Sequence, residues 1–409
     1  MPNRDELARD TLALILAGGN GTRLGELTRW QCKPAVPFAG HFRNIDFTLS
    51  NCVNSHVRRI GVLTQYKSQT LLDHLARGWS FLPRHLGEFV DAWPAQQRQQ
   101  PSWYAGTADA VYQNIDLIRA QRAKYTLILA GDHVYRMDYR TLLARHVGTG
   151  ADVTIACLPV PREQSGSFGI MGVDEYGRVH SFVEKPPPDS LTGAGPIVLA
   201  SMGIYVFDTD YLIDRLERDA RDASSSHDFG HDVIPAAVRS DHVEAFAFTE
   251  PSGRPGYWRD VGTLDAYWQA HMELLGSEPP LDLHDPRWPI WTSPAQAAPA
   301  RLIYDRPHRG FVANSLLSGG VVVRAATVTN SVLSTNVQVD RDTIIDQAVV
   351  LPGARIGASC TLRRVIVDCD TEVPDGMEID GAEIGDSPGS RVALLTRTTR
   401  PTTGMRCVA

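Results

Sequence analysis

The sequence predicts an α/β protein in two parts, a mostly parallel sheet with helices on both faces and then a three-sided parallel coil. Three observations carry this. The apolar run Leu12–Ala17 ends in a turn built on Gly18, Gly19 and Gly21. Strand-like apolar runs then alternate with helix-period segments to about residue 275. From residue 311 onward, aliphatic side chains recur every 17 positions.

A short apolar run bounded by glycines reads as a strand buried on both faces. Glycine lets the chain turn sharply and brings backbone N–H groups against a ligand, a concave anion site. Thr22 and Arg23 follow, and Lys33 lies ten residues on. The turn is either an ordinary strand end or a cradle with two cations, which is what a triphosphate needs. No Gly-Lys-Ser/Thr closes it, so it is not a Walker loop. The dinucleotide fingerprint G-x-G-x-x-G is missing too, which disfavours an NAD-dependent dehydrogenase.

Phe42–Asn54 reads as the start of a helix, Arg59–Gln65 as a second strand, and residues 68–77 as a helix on Leu71, Leu72 and Leu75. Residues 83–106 read as an irregular loop of the kind that often carries ligand contacts. Ala108–Arg122 reads as a helix, and Thr126–Ala130 as a buried strand ending in Gly131-Asp132-His133. An acidic residue at that strand end lies where open α/β sheets bind ligands. Asp132 is therefore a turn or cap residue, or a hard oxygen ligand for Mg²⁺. Val153–Leu158, Val179–Lys185 and Ala200–Phe207 read as further strands, and Thr209–Arg218 as a helix. Pro186 stops its strand and fixes Lys185 at the end. The alternation implies residues 1–275 as one sheet-and-helix domain.

Residues 276–310 hold seven of the 26 prolines and read as a packed interdomain connection. Beyond it, three aliphatic columns run at a period of 17: Leu316, Leu333, Val350, Val367; Val322, Val339, Ile356, Val373; Val328, Ile345, Leu362, Ile379. One inward aliphatic per side of a coil explains the period over 311–385. Residues 386–409 form a less regular tail with Arg391, Arg397, Arg400 and Arg406.

With 409 residues, 21% charged and a net charge of −7, the chain reads as a soluble globular protein with neither nucleic acid nor membrane as partner. The polar start, the lack of a long apolar run and six scattered cysteines without a C-x-x-C pair place it in the cytoplasm with reduced thiols.

AGGxGTRL followed by KPA resembles the signature of the sugar-1-phosphate nucleotidyltransferases. WYAGTADAVYQN (103–114), ASMGIYVF (200–207), SSHDFGHD (225–232) and YWRDVGT (257–263) resemble the bacterial glucose-1-phosphate adenylyltransferase branch. The resemblance covers nearly the whole chain. It implies a Rossmann-like nucleotidyltransferase domain followed by a left-handed β-helix of hexapeptide-like coils. It also implies the reaction of ATP with α-D-glucose 1-phosphate, giving ADP-glucose and diphosphate for glycogen synthesis. By resemblance Arg23 and Lys33 hold the nucleotide phosphates at Gly18, Gly19 and Gly21. Lys185 pairs with the sugar phosphate, and Glu184 accepts from sugar hydroxyls. Tyr104, Gly169 and Ser201 line the site, with Gln96 and Gln97 as candidates for base reading or for relaying activation. Asp132 and Asp260 anchor Mg²⁺; Asp260 is also open to a reading as a helix cap. A homotetramer with anionic effectors is implied.

A thymidylyl- or uridylyltransferase would use the same core motifs, but SSHDFG and YWRDVGT favour the adenylyl branch. A non-catalytic regulatory subunit would have lost some of Arg23, Lys33, Asp132 and Lys185, and all are present. A hexapeptide acyltransferase commonly relies on a coil histidine, and none of the 13 histidines follows His308. One departure concerns regulation. Well-known bacterial members carry a basic pair where Trp30 and Gln31 stand, and an inhibitor-site arginine where Ala120 stands. Arg43, Arg363 and Arg364 are retained as effector candidates.

Overall fold

The strand Thr11–Ala17 lies inside a nine-stranded sheet, between Tyr125–Ala130 and Arg59–Thr64, parallel to both. Its side chains alternate as a strand's must: Ala13, Ile15 and Ala17 join the core on one face, and Leu12 and Leu14 the core on the other. The computed structural model describes residues 3–19, 21–96, 103–191, 195–250, 253–293, 295–304, 310–384, 391–398 and 406–407. In the sheet, only Val179–Glu184 and Ile197–Asp208 run against the other seven strands, so the sheet is mostly parallel. The glycine turn and Asp132 consequently leave the same edge.

Several elements differ from the sequence reading. Phe89–Pro94, placed in an irregular loop, is the outermost strand beyond Arg59–Thr64. Flanking Pro and Gly disguise it, and the edge position tolerates its terminal proline. The helix expected over 108–122 is two, Thr107–Tyr112 and Ile115–Gln121. At the break Asn114 donates to the Ala110 carbonyl at 2.8 Å and to the Tyr104 hydroxyl at 3.0 Å. Gly169–Val173 and Val243–Ala247 are further strands that had no period strong enough to stand out.

The C-terminal part is a coil of three sheets, parallel except where Arg406–Cys407 pairs antiparallel with Met377–Asp380. The third column is as read: Val328, Ile345, Leu362 and Ile379 pair in series. The other two columns start one residue later than the 17-residue period requires, at Leu317 opposite Leu333 and Val323 opposite Val339. The first turn is therefore 16 residues long. The runs Leu316-Leu317 and Val321-Val322-Val323 supply an aliphatic in either register, and only the structure decides which face is inward. Arg301–Ile303 pairs with Val322–Arg324, so the ladder begins within the proline-rich stretch. Ala393–Leu395 pairs with Val365–Val367, so part of the tail adds a rung.

The connection is packed, as its tryptophans suggested. Trp288 and Trp291 donate their indole N–H groups to Asn51 and Asn54, at 3.0 and 3.2 Å. A separate apolar core joins the two parts, with Phe38, Tyr267 and Trp268 against Val349, Ile366 and Leu394.

Candidate active site

Sheet geometry gathers the turns after Ala17, Thr64 and Ala130 around one cavity of about 510 Å³, with Glu184, Lys185, Asp228 and Asp260 on its other walls. Gly21 adopts a left-handed φ of 60°. Lys33 follows in the short turn Lys33–Ala35, its side chain 7% exposed and aimed between two carboxylates. Its Nζ lies 2.8 Å from Asp132 Oδ2 and 2.5 Å from Asp260 Oδ1. Burial opposes the charged ammonium, but the two carboxylates prevail and hold the Lys33 pKa above its ordinary value. Burial likewise opposes ionised Asp132. The charge of Lys33, with His133 adding to it, overcomes this and brings the carboxyl to about 2. Asp132 is therefore a carboxylate at any working pH.

Asp260 comes from Trp258–Asp260, a ribbon strand paired with His133–Tyr135. Arg23 Nη2 lies 3.7 Å from its second oxygen. The cap of the following helix is Thr263, whose hydroxyl accepts from Ala266 N at 3.2 Å. Asp260 is thus free of a capping role. His133 packs edge-on against Trp258 at 4.8 Å, and its Nε2 is 3.7 Å from Asp132. Burial lowers its pKa, favouring neutral imidazole. One donor atom each from Asp132, His133 and Asp260 can lie within 4.8 Å of one another, a set that suits a small divalent cation.

Across the cavity Lys185 Nζ donates to Glu184 Oε1 at 2.6 Å, and Lys185 has a φ of 47°. A Cβ on Gly169 or Gly230 would approach Glu184 Oε2 to 2.9 or 2.6 Å, so glycine at both sites keeps that carboxylate in place. Ser201 is buried; its hydroxyl accepts from Gly203 N at 3.2 Å. Tyr104 is held at both ends: its N–H donates to Gln65 Oε1 at 2.7 Å, and its hydroxyl accepts from Asn114.

Arg23, Lys33, Asp132, Asp260, Gly18, Gly19, Tyr104, Gly169, Glu184, Lys185 and Ser201 therefore all border one cavity, and Gly21 lies beside it, close to Lys33. Gln97 lies outside the described residues. The sequence reading missed Gln65, the residue after a parallel strand, and Asp228. Asp228 accepts from Gly230 N at 2.8 Å and from the Thr107 hydroxyl at 2.9 Å, pinning the SSHDFGHD loop to a helix start. The strand-edge position of Gln65 was the available signal. The effector candidates are separate from this cavity. Arg43 donates to the Ala35 carbonyl. Arg364 lies over the Trp268 ring at 5.0 Å, where the two parts meet, and Arg363 is exposed.

Residues 12–277 match the family model described as nucleotidyl transferase, and residues 298–392 match GlmU-like, C-terminal hexapeptide. The chain is 54% identical to a glucose-1-phosphate adenylyltransferase of Methylobacillus flagellatus over 86% of this chain and 84% of that one. It is 53% identical to one of Nitrosococcus oceani, over 86% and 84%. A third, of Paramagnetospirillum magneticum, is 52% identical over 85% and 83%.

Proposed function

The chain belongs to the glucose-1-phosphate adenylyltransferase family, and on that premise we propose that it converts ATP and α-D-glucose 1-phosphate to ADP-glucose and diphosphate for glycogen synthesis. One observation carries the site reading. Lys33 bridges Asp132 and Asp260 below the glycine turn, and Glu184 and Lys185 face them across the same cavity.

The reaction brings two anions together, so catalysis rests on positioning and charge neutralisation. A phosphate oxygen of the sugar phosphate forms the new bond to the α-phosphorus of ATP. The bond from that phosphorus to the bridging oxygen breaks, and diphosphate leaves with the electron pair. The attacking oxygen is already ionised, so no side chain needs to remove a proton. Arg23 and Lys33 neutralise the triphosphate beside Gly18, Gly19 and Gly21. Lys185 holds the sugar phosphate, and Glu184 accepts from sugar hydroxyls near Tyr104, Gly169 and Ser201. Asp132 and Asp260 would hold Mg²⁺, which when bound neutralises charge on the α-phosphoryl group and the leaving diphosphate.

Residues 1–275 do this chemistry, 276–310 connect, and the β-helix of 311–385 with the tail 386–409 serves assembly and regulation. Phe311, Leu302 and Ile344 are exposed apolar side chains on the coil, which supports a homotetramer. Arg43, Arg363 and Arg364 are read as contacts for anionic effectors. Among the described residues no helix is long and apolar enough to cross a membrane, and the enzyme is read as cytoplasmic.

The test is diphosphate release from ATP, CTP, GTP, UTP and dTTP, each with glucose 1-phosphate and Mg²⁺. ATP should be preferred at least tenfold. Preference for another nucleotide would overturn the assignment, and light scattering that finds an active monomer would overturn the tetramer.

A further inference from the structure

The polar residues of helix Asn44–Asn54 fall into two stripes. Asn44, Thr48 and Asn51 recur at i, i+4 and i+7, one face of a helix. Each donates to a backbone carbonyl at, or two residues from, a residue of the active site. Asn44 Nδ2 donates to the carbonyl of Lys33 at 3.0 Å, and Thr48 Oγ1 to that of Ala130, two residues before Asp132, at 2.9 Å. Asn51 Nδ2 donates to the carbonyl of Tyr135, two residues past His133, at 3.1 Å. None of the three helix residues lines the cavity.

The second stripe, Asp46, Ser50 and Asn54, grips the connection. Asp46 is fully buried and accepts from the Thr292 hydroxyl at 2.6 Å. Ser50 Oγ accepts from Trp291 N at 2.8 Å, and Asn54 Nδ2 donates to the Pro289 carbonyl at 2.9 Å. Asp46 also takes the Trp79 indole N–H at 3.0 Å and the His74 imidazole at 2.5 Å. The helix therefore adds side-chain bonds to the turn at Lys33 and to the strand ends at Ala130 and Tyr135, beyond those the sheet ladders supply.

We propose that helix Asn44–Asn54 is a brace, with Asn44, Thr48 and Asn51 as positioning residues that set the separation of Lys33 and Asp132 for adenylyl transfer. The inference rests on the reaction assigned above. It requires only that catalysis be sensitive to placement, and a shift of about 1 Å far from the chemistry can cost on the order of 10²-fold in rate. The brace touches no substrate, so its loss acts chiefly on turnover, and any change in affinity falls on ATP through Lys33.

The test compares Thr48→Val, Thr48→Ser and Asn44→Ala with the wild type. Steady-state kinetics are run with ATP, glucose 1-phosphate and Mg²⁺, and hydrogen–deuterium exchange is followed over residues 128–137. Valine keeps the shape of threonine and loses the donor. Thr48→Val should lower kcat about tenfold or more, shift neither KM by more than about twofold, and speed exchange over 128–137. Thr48→Ser, which keeps the donor, should recover most of the turnover and the slow exchange. Asn44→Ala should likewise lower kcat with the KM for glucose 1-phosphate unchanged, and it carries the test if Thr48→Val does not fold. Wild-type kcat in a folded Thr48→Val or Asn44→Ala protein overturns the brace, as does a Thr48→Ser protein as impaired as Thr48→Val. An inactive wild type refutes the reaction instead; the exchange rates then decide the brace, which unchanged protection in Thr48→Val overturns.

Discussion

The ammonium of Lys33 lies 2.8 Å from the carboxylate of Asp132, tying the segment after one parallel strand to the turn after its neighbour. Three charges share this spot, because Asp260 meets the same ammonium at 2.5 Å. In the proposed reaction this balance is what a triphosphate with its cation would enter.

Asp132→Asn removes one charge and preserves shape. Its kcat is expected to fall by about 10²-fold or more, the usual scale for losing a key electrostatic contact. Thermal unfolding should stay close to the wild type, since Asp260 still pairs Lys33. Near-normal turnover in a folded Asp132→Asn protein would remove Asp132 from the chemistry.

Lys185→Ala separates the two substrates. Lys185 is exposed toward the cavity and held only by Glu184 among the described residues, so it is available to an incoming phosphate. A charge-assisted bond is worth about 1.5–3 kcal/mol, or roughly 10- to 100-fold in affinity. The KM for glucose 1-phosphate should rise by that factor while the KM for ATP changes little. Equal effects on both would make Lys185 structural or a nucleotide contact.

How much of this was legible beforehand depends on the kind of signal. Arg23, Lys33, Asp132 and Lys185 sit in short motifs at strand ends, where sequence position and spatial position coincide. Gln65 also follows a strand but sits in no such motif, and Asp228 sits in a motif but at no strand end. Asp228 matters through its bonds to Gly230 and Thr107, which are tertiary. The solenoid period was plain, yet its first-turn register was not. Leu316-Leu317 and Val321-Val322-Val323 satisfy the aliphatic pattern in two phases, and a one-residue slip reverses faces. Arg43 and Arg364 look like free cations in the sequence. In the fold one donates to the Ala35 carbonyl and the other covers Trp268.

Acid should loosen the joint between the two parts through His271. Its Nε2 accepts from Ala39 N at 3.0 Å and its Nδ1 donates to the Tyr267 carbonyl at 2.8 Å, so both nitrogens are used by the neutral ring. Burial lowers its pKa to about 4. The unfolded chain takes up a proton below about 6.5 and the folded one only near 4, so the unfolded state binds more protons across that window. Stability should therefore fall as pH drops from 6.5 to 4, by on the order of 3 kcal/mol from this residue. Denaturant unfolding at stepped pH checks it. His271→Gln should be less stable at pH 7 but should lose that part of the slope, and an unchanged slope would assign it elsewhere.

Regulation gives the last expectation. Trp30 is 78% exposed, with the Arg29 guanidinium 5.3 Å from its ring centroid. Gln31 donates to the Leu27 carbonyl at 3.1 Å, and Ala120 is exposed and without charge. None of these three can form the charge-assisted bond that a cation would give a phosphorylated effector. Arg43 is half-buried and already bonded, and Arg364 is committed to Trp268. Each missing bond lowers effector affinity by about 1.5–3 kcal/mol. The enzyme should still be allosteric, with a weak response to fructose 1,6-bisphosphate and AMP or a preference for another phosphorylated metabolite such as fructose 6-phosphate. Neighbouring Arg29 could compensate, but its bond to Glu26 at 2.9 Å competes with that use. Activity titrations with each metabolite check this, alongside Trp30→Arg, which should strengthen the response to fructose 1,6-bisphosphate. Strong micromolar activation by fructose 1,6-bisphosphate together with strong AMP inhibition of the natural chain would show that Trp30, Gln31 and Ala120 do not set its effector affinity.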